Sequence, residues 1–126
     1  MTKQLLAKGM GASPGTATGI IVFRSEDAVE LASQGKAVIV VRMETTPEDV
    51  PGMRIAAGIV TTRGGITGDA AIVARSLGKP CIASCSSMHV DYAANSLTVW
   101  REGEDITLKK GEIVTIDGAT GEIWMG

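Results

Sequence analysis

The residues of this chain best suited to chemistry lie in one run, Arg63-Gly64-Gly65-Ile66-Thr67-Gly68-Asp69. A glycine pair just before a helix start lets backbone N–H groups point outward together. The positive end of the helix dipole adds to their pull on an anion. Thr67 brings a hydroxyl and Arg63 a cation, and Ala70-Ala71 leave the first helical turn slim enough to approach other backbone. On residue types alone there are two readings. One is a phosphate or carboxylate site made by Arg63, Gly64, Gly65, Thr67 and Gly68. The other is an ordinary strand–loop–helix turn whose glycines serve geometry.

The elements that must position this run can be read around it. Gly58–Thr62 is a short apolar strand leading in, and Asp69–Leu77 is the helix leading out, ended by Gly78 with Pro80 beyond. Upstream, Gly11-Ala12-Ser13-Pro14-Gly15 reads as a turn before a strand over Ala17–Phe23. Ser25 is placed to cap a helix over Glu26–Ser33 that Gly35 stops. Ala37–Val41 is a continuous β-branched run, as in a strand buried on both faces. Thr46-Pro47-Glu48-Asp49 is a helix start, with Pro51 and Gly52 expected to keep that helix short. Cys81–Ala83 is a buried strand. After it the pattern changes to short strands at Leu97–Trp100, Ile106–Leu108, Ile113–Ile116 and Glu122–Met125, with turns at Asp117-Gly118 and Thr120-Gly121. Helices come early and hairpins late, which suggests an α/β domain whose mixed sheet packs on a second β layer.

Composition narrows the function. The chain has 126 residues, enough for one domain over 1–126. Apolar residues make up 44 % but only four are aromatic (two Trp, one Tyr, one Phe), so the core must come from Val, Ile, Leu, Ala and Met. A net charge of −2 without any basic run argues against nucleic acid. No apolar run reaches the ~20 residues of a membrane span, and the first residues lack the apolar core of a signal peptide. A cytoplasmic protein is expected. Cys81 and Cys85 lie four apart on a presumed strand, ~13 Å from each other, too far for a disulfide. Both are expected reduced and buried. His89 is the single histidine, expected at the surface or in packing.

The run Thr62-Arg63-Gly64-Gly65-Ile66-Thr67-Gly68-Asp69-Ala70-Ala71-Ile72-Val73-Ala74-Arg75 resembles the phosphohistidine signature of the phosphoenolpyruvate (PEP)-utilising enzymes. Three further stretches are similar to the pyruvate phosphate dikinase branch in particular: Gly11–Gly15, Arg42–Met53 and Gly78–Cys81. So is the closing Gly111–Ile123, and the likeness runs in order along nearly the whole chain. It implies a swivelling β/β/α domain, with a mixed sheet packed against a second β layer and helices on one side. In that family a histidine takes a phosphoryl group at a nucleotide-binding domain and delivers it at a PEP/pyruvate barrel. Imidazole suits this work because it is nucleophilic near neutral pH. Neither partner domain fits in this sequence, so a nucleotide-binding or barrel protein acting in trans is the expected partner. Mg²⁺ and ATP or PEP would belong to it, with no cofactor in this domain.

The resemblance puts the family's Thr, Ser or Cys, and His onto Thr67, Gly68 and Asp69. The nucleophile's place is thus held by Asp69. Three roles are open to it. It can be a first-turn acid stabilised by the helix dipole, by roughly 0.3–1 kcal/mol. It can imitate a phosphorylated side chain, making the domain a non-catalytic binding or regulatory module. Or its carboxylate can accept phosphate as an acyl phosphate, making the domain a phosphocarrier. The resemblance sets Thr67 on a threonine that is a regulatory phosphorylation target in plant-type dikinases. As a residue type, Thr67 is expected to cap the helix.

Overall fold

The computed structural model describes residues 4–65 and 68–126. Eight strands form one mixed sheet. In chain order they are β1 (Leu5–Lys8), β2 (Met10–Ser13), β3 (Thr16–Val22), β4 (Val38–Arg42), β5 (Gly58–Thr61), β6 (Cys81–Ala83), and, after a separate hairpin layer, β10 (Ile113–Asp117) and β11 (Glu122–Met125). Their spatial order is β1-β11-β10-β3-β4-β5-β6-β2. The central pairs β3–β4, β4–β5 and β5–β6 are parallel, and all the other pairs are antiparallel. The hairpin layer is a separate antiparallel sheet of β7 (Met88–Asp91), β8 (Ser96–Val99) and β9 (Ile106–Lys109). Helices α1 (Ser25–Ser33), α2 (Val50–Ile55) and α3 (Asp69–Leu77) each connect two neighbouring parallel strands.

The alternation of side chains along a strand explains the layering. In β4, Ile39 and Val41 face the small sheet, where they join Phe23, Leu97, Val99 and Leu108. Val38 and Val40 face the other way, onto Ala28 of α1. In β5, Val60 takes the first side and Ile59 the second, against Ala70, Ala71 and Ala74 of α3. The run Ala37–Val41 reads as apolar on both faces because both faces are covered. The expected architecture is therefore found: small sheet, mixed sheet, helices on the far side.

Several local expectations are corrected. Gly11–Ser13 belongs to β2 rather than to a turn; only Pro14 and Gly15 turn, Gly15 with φ +120. Gly11 serves close approach, since a Cβ there would sit 2.6 Å from the carbonyl oxygens of Gly118 and Ala119. β1 and β7 lay outside the sequence reading. Arg24, not Ser25, is the cap residue of α1; the Ser25 hydroxyl instead accepts the Gly52 N–H at 2.8 Å. Pro51 and Gly52 do not end their helix. A 3-10 turn at Pro47–Asp49 leads into α2, and Pro51 lies in its first turn, where a missing N–H costs nothing. Among the described residues no helix is long and apolar enough to cross a membrane.

The cysteines do not share a strand. β6 ends at Ala83, Ser84 turns the chain with φ +52, and Cys81 and Cys85 join cores on opposite sides of the sheet. Both are free and buried. Burial pushes the Cys81 thiol up to about 12, opposed by the nearby Arg75 guanidinium, and the Cys85 thiol up to about 11. Thiolate is the reactive form, so both thiols of the folded chain should resist a water-soluble thiol reagent at about pH 8 and react only as fast as the chain unfolds. The folded values lie above the ordinary 9.0, so this contribution to stability is complete below that pH. It is lost as pH rises from there through about 11 to 12. Urea midpoints followed across that window should fall more steeply for the wild type than for Cys81→Ala.

Candidate functional site

Ligands of open parallel sheets sit beyond the carboxyl ends of the strands, where loops and helix N-termini converge. In this chain those ends belong to β4 and β5, and a cleft of about 250 Å³ opens there. From the β4 side it is lined by Glu44 and Thr45, and from the β5 side by Thr61, Arg63, Gly64 and Gly65. Gly68, Asp69 and Ala70 close it at the start of α3. The structure thus brings together five of the six expected site residues: Arg63, Gly64, Gly65, Gly68 and Asp69. Thr67, with its expected capping role, lies outside the described residues.

The loop after β5 is tied down carbonyl by carbonyl. Thr62 N–H donates to the Arg42 carbonyl at 3.1 Å and Arg63 N–H to the Met43 carbonyl at 3.0 Å, so strand-like pairing continues past both strand ends. The Thr61 hydroxyl donates to the Arg63 carbonyl at 2.8 Å, and the Ser84 hydroxyl donates to the Gly64 carbonyl. Gly68 N–H donates to the Gly65 carbonyl at 3.0 Å. Three successive carbonyls are therefore occupied. Among the described residues the N–H groups of Gly64, Gly65 and Asp69 meet no acceptor. Gly64 has φ +79, which a glycine adopts without steric cost. Gly65 has no such angle, and a Cβ on it would meet nothing within 4 Å.

The opposite rim is braced by a polar cluster behind the cleft. Arg42 Nη1 donates to the Phe23 carbonyl at 2.7 Å, its Nε lies 3.4 Å from the buried Asp49 carboxylate, and its guanidinium stacks 4.6 Å from the Tyr92 ring centroid. Asp49 accepts the Thr46 N–H at 2.8 Å, and the Tyr92 hydroxyl accepts the Met43 N–H at 2.8 Å. These bonds hold the segment that carries Glu44 and Thr45.

Asp69 is the first residue of α3, after Gly68 as the cap position. Its carboxylate is exposed and has no hydrogen bond or ion pair among the described residues. It lines a second concavity as well, an apolar groove of about 300 Å³ walled by Pro47, Val50, Met53, Ile72 and Val73. Asp69 therefore stands where a polar cleft meets an apolar groove. Glu44, Thr45, Thr61 and Ser84 were not singled out from the sequence. Glu44 and Thr45 have one signal in retrospect: they come one residue after the end of a parallel strand buried on both faces. Ser84 has none, because only the fold carries it to Gly64. His89 is exposed, stacked on Trp100 at 6.0 Å between centroids, and is not among the residues lining the cleft.

Comparison with known proteins bears on the same residues. The family model for the PEP-utilising enzyme mobile domain matches residues 34–121. Pyruvate, phosphate dikinase of Rhizobium meliloti is 47 % identical over 124 residues, covering 98 % of this chain and 13 % of its own. The chloroplastic pyruvate, phosphate dikinase 1 of Arabidopsis thaliana is 48 % identical over 124 residues, covering 98 % of this chain and 12 % of its own. Pyruvate, phosphate dikinase 2 of Zea mays is 49 % identical over 123 residues, with 98 % and 14 % covered. The NMR structure of Enzyme I (nEIt) matches with a TM-score of 0.47 and 25 % identity over 71 % of this chain and 31 % of that one. The chain spans about an eighth of the length of the dikinases it matches. By the family match over more than half its length, this chain belongs to the mobile domains of the PEP-utilising enzymes.

Proposed function

We propose that this mobile domain serves phosphoryl transfer as a binding module. It presents Asp69 as a fixed negative charge, in place of a phosphorylated side chain, to a nucleotide-binding or PEP/pyruvate-barrel partner of the dikinase kind. The observation that carries this reading is the exposed carboxylate at the start of α3, without a partner among the described residues, where cleft and groove meet. A charge that already has an internal partner has little to offer another protein. Among the described residues this one has no partner, and it is held on a helix start that favours it and set beside apolar surface that a partner can cover. Mg²⁺ and ATP or PEP belong, on this reading, to the partner.

A second reading is favoured by Glu44. It brings a second carboxylate into the Asp69 cleft, which Arg63 also lines. Two acids and a guanidinium resemble what carboxylate phosphorylation requires, if a partner's nucleotide supplies Mg²⁺. In that case an Asp69 oxygen attacks the phosphorus, the bond to the donor oxygen breaks, and an acyl phosphate results. Against it, the same two carboxylates repel an incoming phosphoryl group before any cation arrives.

The two readings separate in one experiment. The chain is mixed with a dikinase nucleotide-binding domain, Mg²⁺ and labelled ATP. The binding module predicts no hydroxylamine-sensitive label and a complex that Asp69→Asn weakens roughly three- to tenfold at low salt, with a smaller loss as salt rises. A hydroxylamine-labile label that disappears in Asp69→Asn would establish the carrier instead.

The glycine pair gives a further check on the cleft. Gly65→Ala should change unfolding free energy by less than about 0.5 kcal/mol, because its methyl enters open space. Gly64→Ala should cost about 1–2 kcal/mol through its positive φ. Partner affinity should nonetheless fall in Gly65→Ala, since the methyl stands on the cleft wall. Calorimetry and chemical denaturation on the same samples read both quantities.

A further inference from the structure

Ser84 takes no part in the proposed function as stated above, yet its geometry is unusual. It follows β6 with φ +52, a left-handed conformation that a residue with a Cβ adopts at a cost. Its neighbours hold it there. Cys85 is buried and its N–H donates to the Thr61 carbonyl at 3.0 Å, while the Ser84 carbonyl accepts the Ser86 N–H at 2.9 Å. In that conformation the Ser84 hydroxyl reaches back 20 positions to the Gly64 carbonyl.

A trans peptide is planar, so its carbonyl and the N–H that follows point in opposite directions. Turning the Gly64 carbonyl toward Ser84 therefore turns the Gly65 N–H away from it. Ser84 is not among the residues lining the cleft, whereas Gly64 and Gly65 are, so the amide is left on the cleft side. The Gly65 carbonyl in turn accepts the Gly68 N–H, and Asp69 follows Gly68. Two hydrogen bonds, Ser84 to Gly64 and Gly68 to Gly65, thus link the end of β6 to the start of α3.

We propose that Ser84 is a positioning residue of this cleft. Its hydroxyl sets the Gly64–Gly65 peptide, and through the Gly65–Gly68 bond it sets the approach to Asp69. The effect on partner binding rests on the binding-module reading; the effect on the loop does not. Glycine would take the left-handed conformation at this position more readily but would not deliver the hydroxyl.

Ser84→Gly tests this without distorting the fold, because it removes the hydroxyl and eases the backbone. The thermal midpoint should drop by no more than about 3 °C. NMR should show Gly68 amide exchange about three- to tenfold faster and greater mobility at Gly64 and Gly65, with partner affinity lower by a similar factor. Ser84→Asn, which tolerates the same φ and carries an N–H donor, should restore part of both. Unchanged Gly68 exchange and loop relaxation in Ser84→Gly would overturn the proposal. Faster exchange with unchanged partner affinity would uphold the role of Ser84 in the loop and count against the binding-module reading. A wild-type chain that binds no such partner would also count against that reading, and the Gly68 measurement would still decide on Ser84.

Discussion

The parallel pairing of β4 with β5 is the constraint on which the site depends. It does not stop where the strands stop. Thr62 and Arg63 continue to donate to Arg42 and Met43, so two loops leave the sheet side by side as a paired unit. One carries Glu44 and Thr45, the other Arg63 and the glycines. Both strands are covered on both faces, which leaves their register no freedom to slip: a one-residue shift would exchange Val60 and Ile59 between two separate cores.

Around that pairing, the polar groups divide by sign. The Arg63, Gly64 and Gly65 carbonyls are consumed by hydroxyls and by the Gly68 amide, while among the described residues the Gly64 and Gly65 amides and the Arg63 cation meet no partner. Carboxylates stand at the edges, as Glu44 on one rim and Asp69 at the start of α3. This arrangement keeps the features that would hold an anion and puts negative charge on their border. Asp49, by contrast, is buried, with one carboxylate oxygen taken up by Thr46 and Arg42, so it braces the rim and does not line the cleft. Of the three acids near the cleft, only burial and hydrogen bonding distinguish the structural one from the two available ones.

Much of the fold was legible in the sequence because the central strands are dense in β-branched residues and the helices are bounded by local signals. Asp69–Leu77 with Gly78 is the clearest case, its bounds following from a glycine with φ +70 at the end. What escaped was decided by distant backbone. β2 contains Gly11 and Ser13 and looks like a turn, yet it pairs with β6 because Gly11 permits the closing turn of β10–β11 to pass at van der Waals distance. Pro51 looks like a stop, but a preceding 3-10 turn shifts the helix start so that the proline lands where it is tolerated. The cysteines look like strand neighbours until Ser84 turns the chain between them.

The sequence by itself determined the layer architecture, the family, and the loop that carries Arg63, Gly64, Gly65, Gly68 and Asp69. The architecture and the loop were legible because periodicity, capping and turn chemistry are local properties of consecutive residues, and the family because its motif runs stand in order along the chain. Only the tertiary structure decided which other groups join that loop. Glu44 arrives by parallel pairing of strands, and Ser84 arrives through a left-handed turn after β6. It also showed that the Asp69 carboxylate is exposed and, among the described residues, without a partner. Whether a charge is neutralised depends on what surrounds it in space, and no spacing along the chain encodes that.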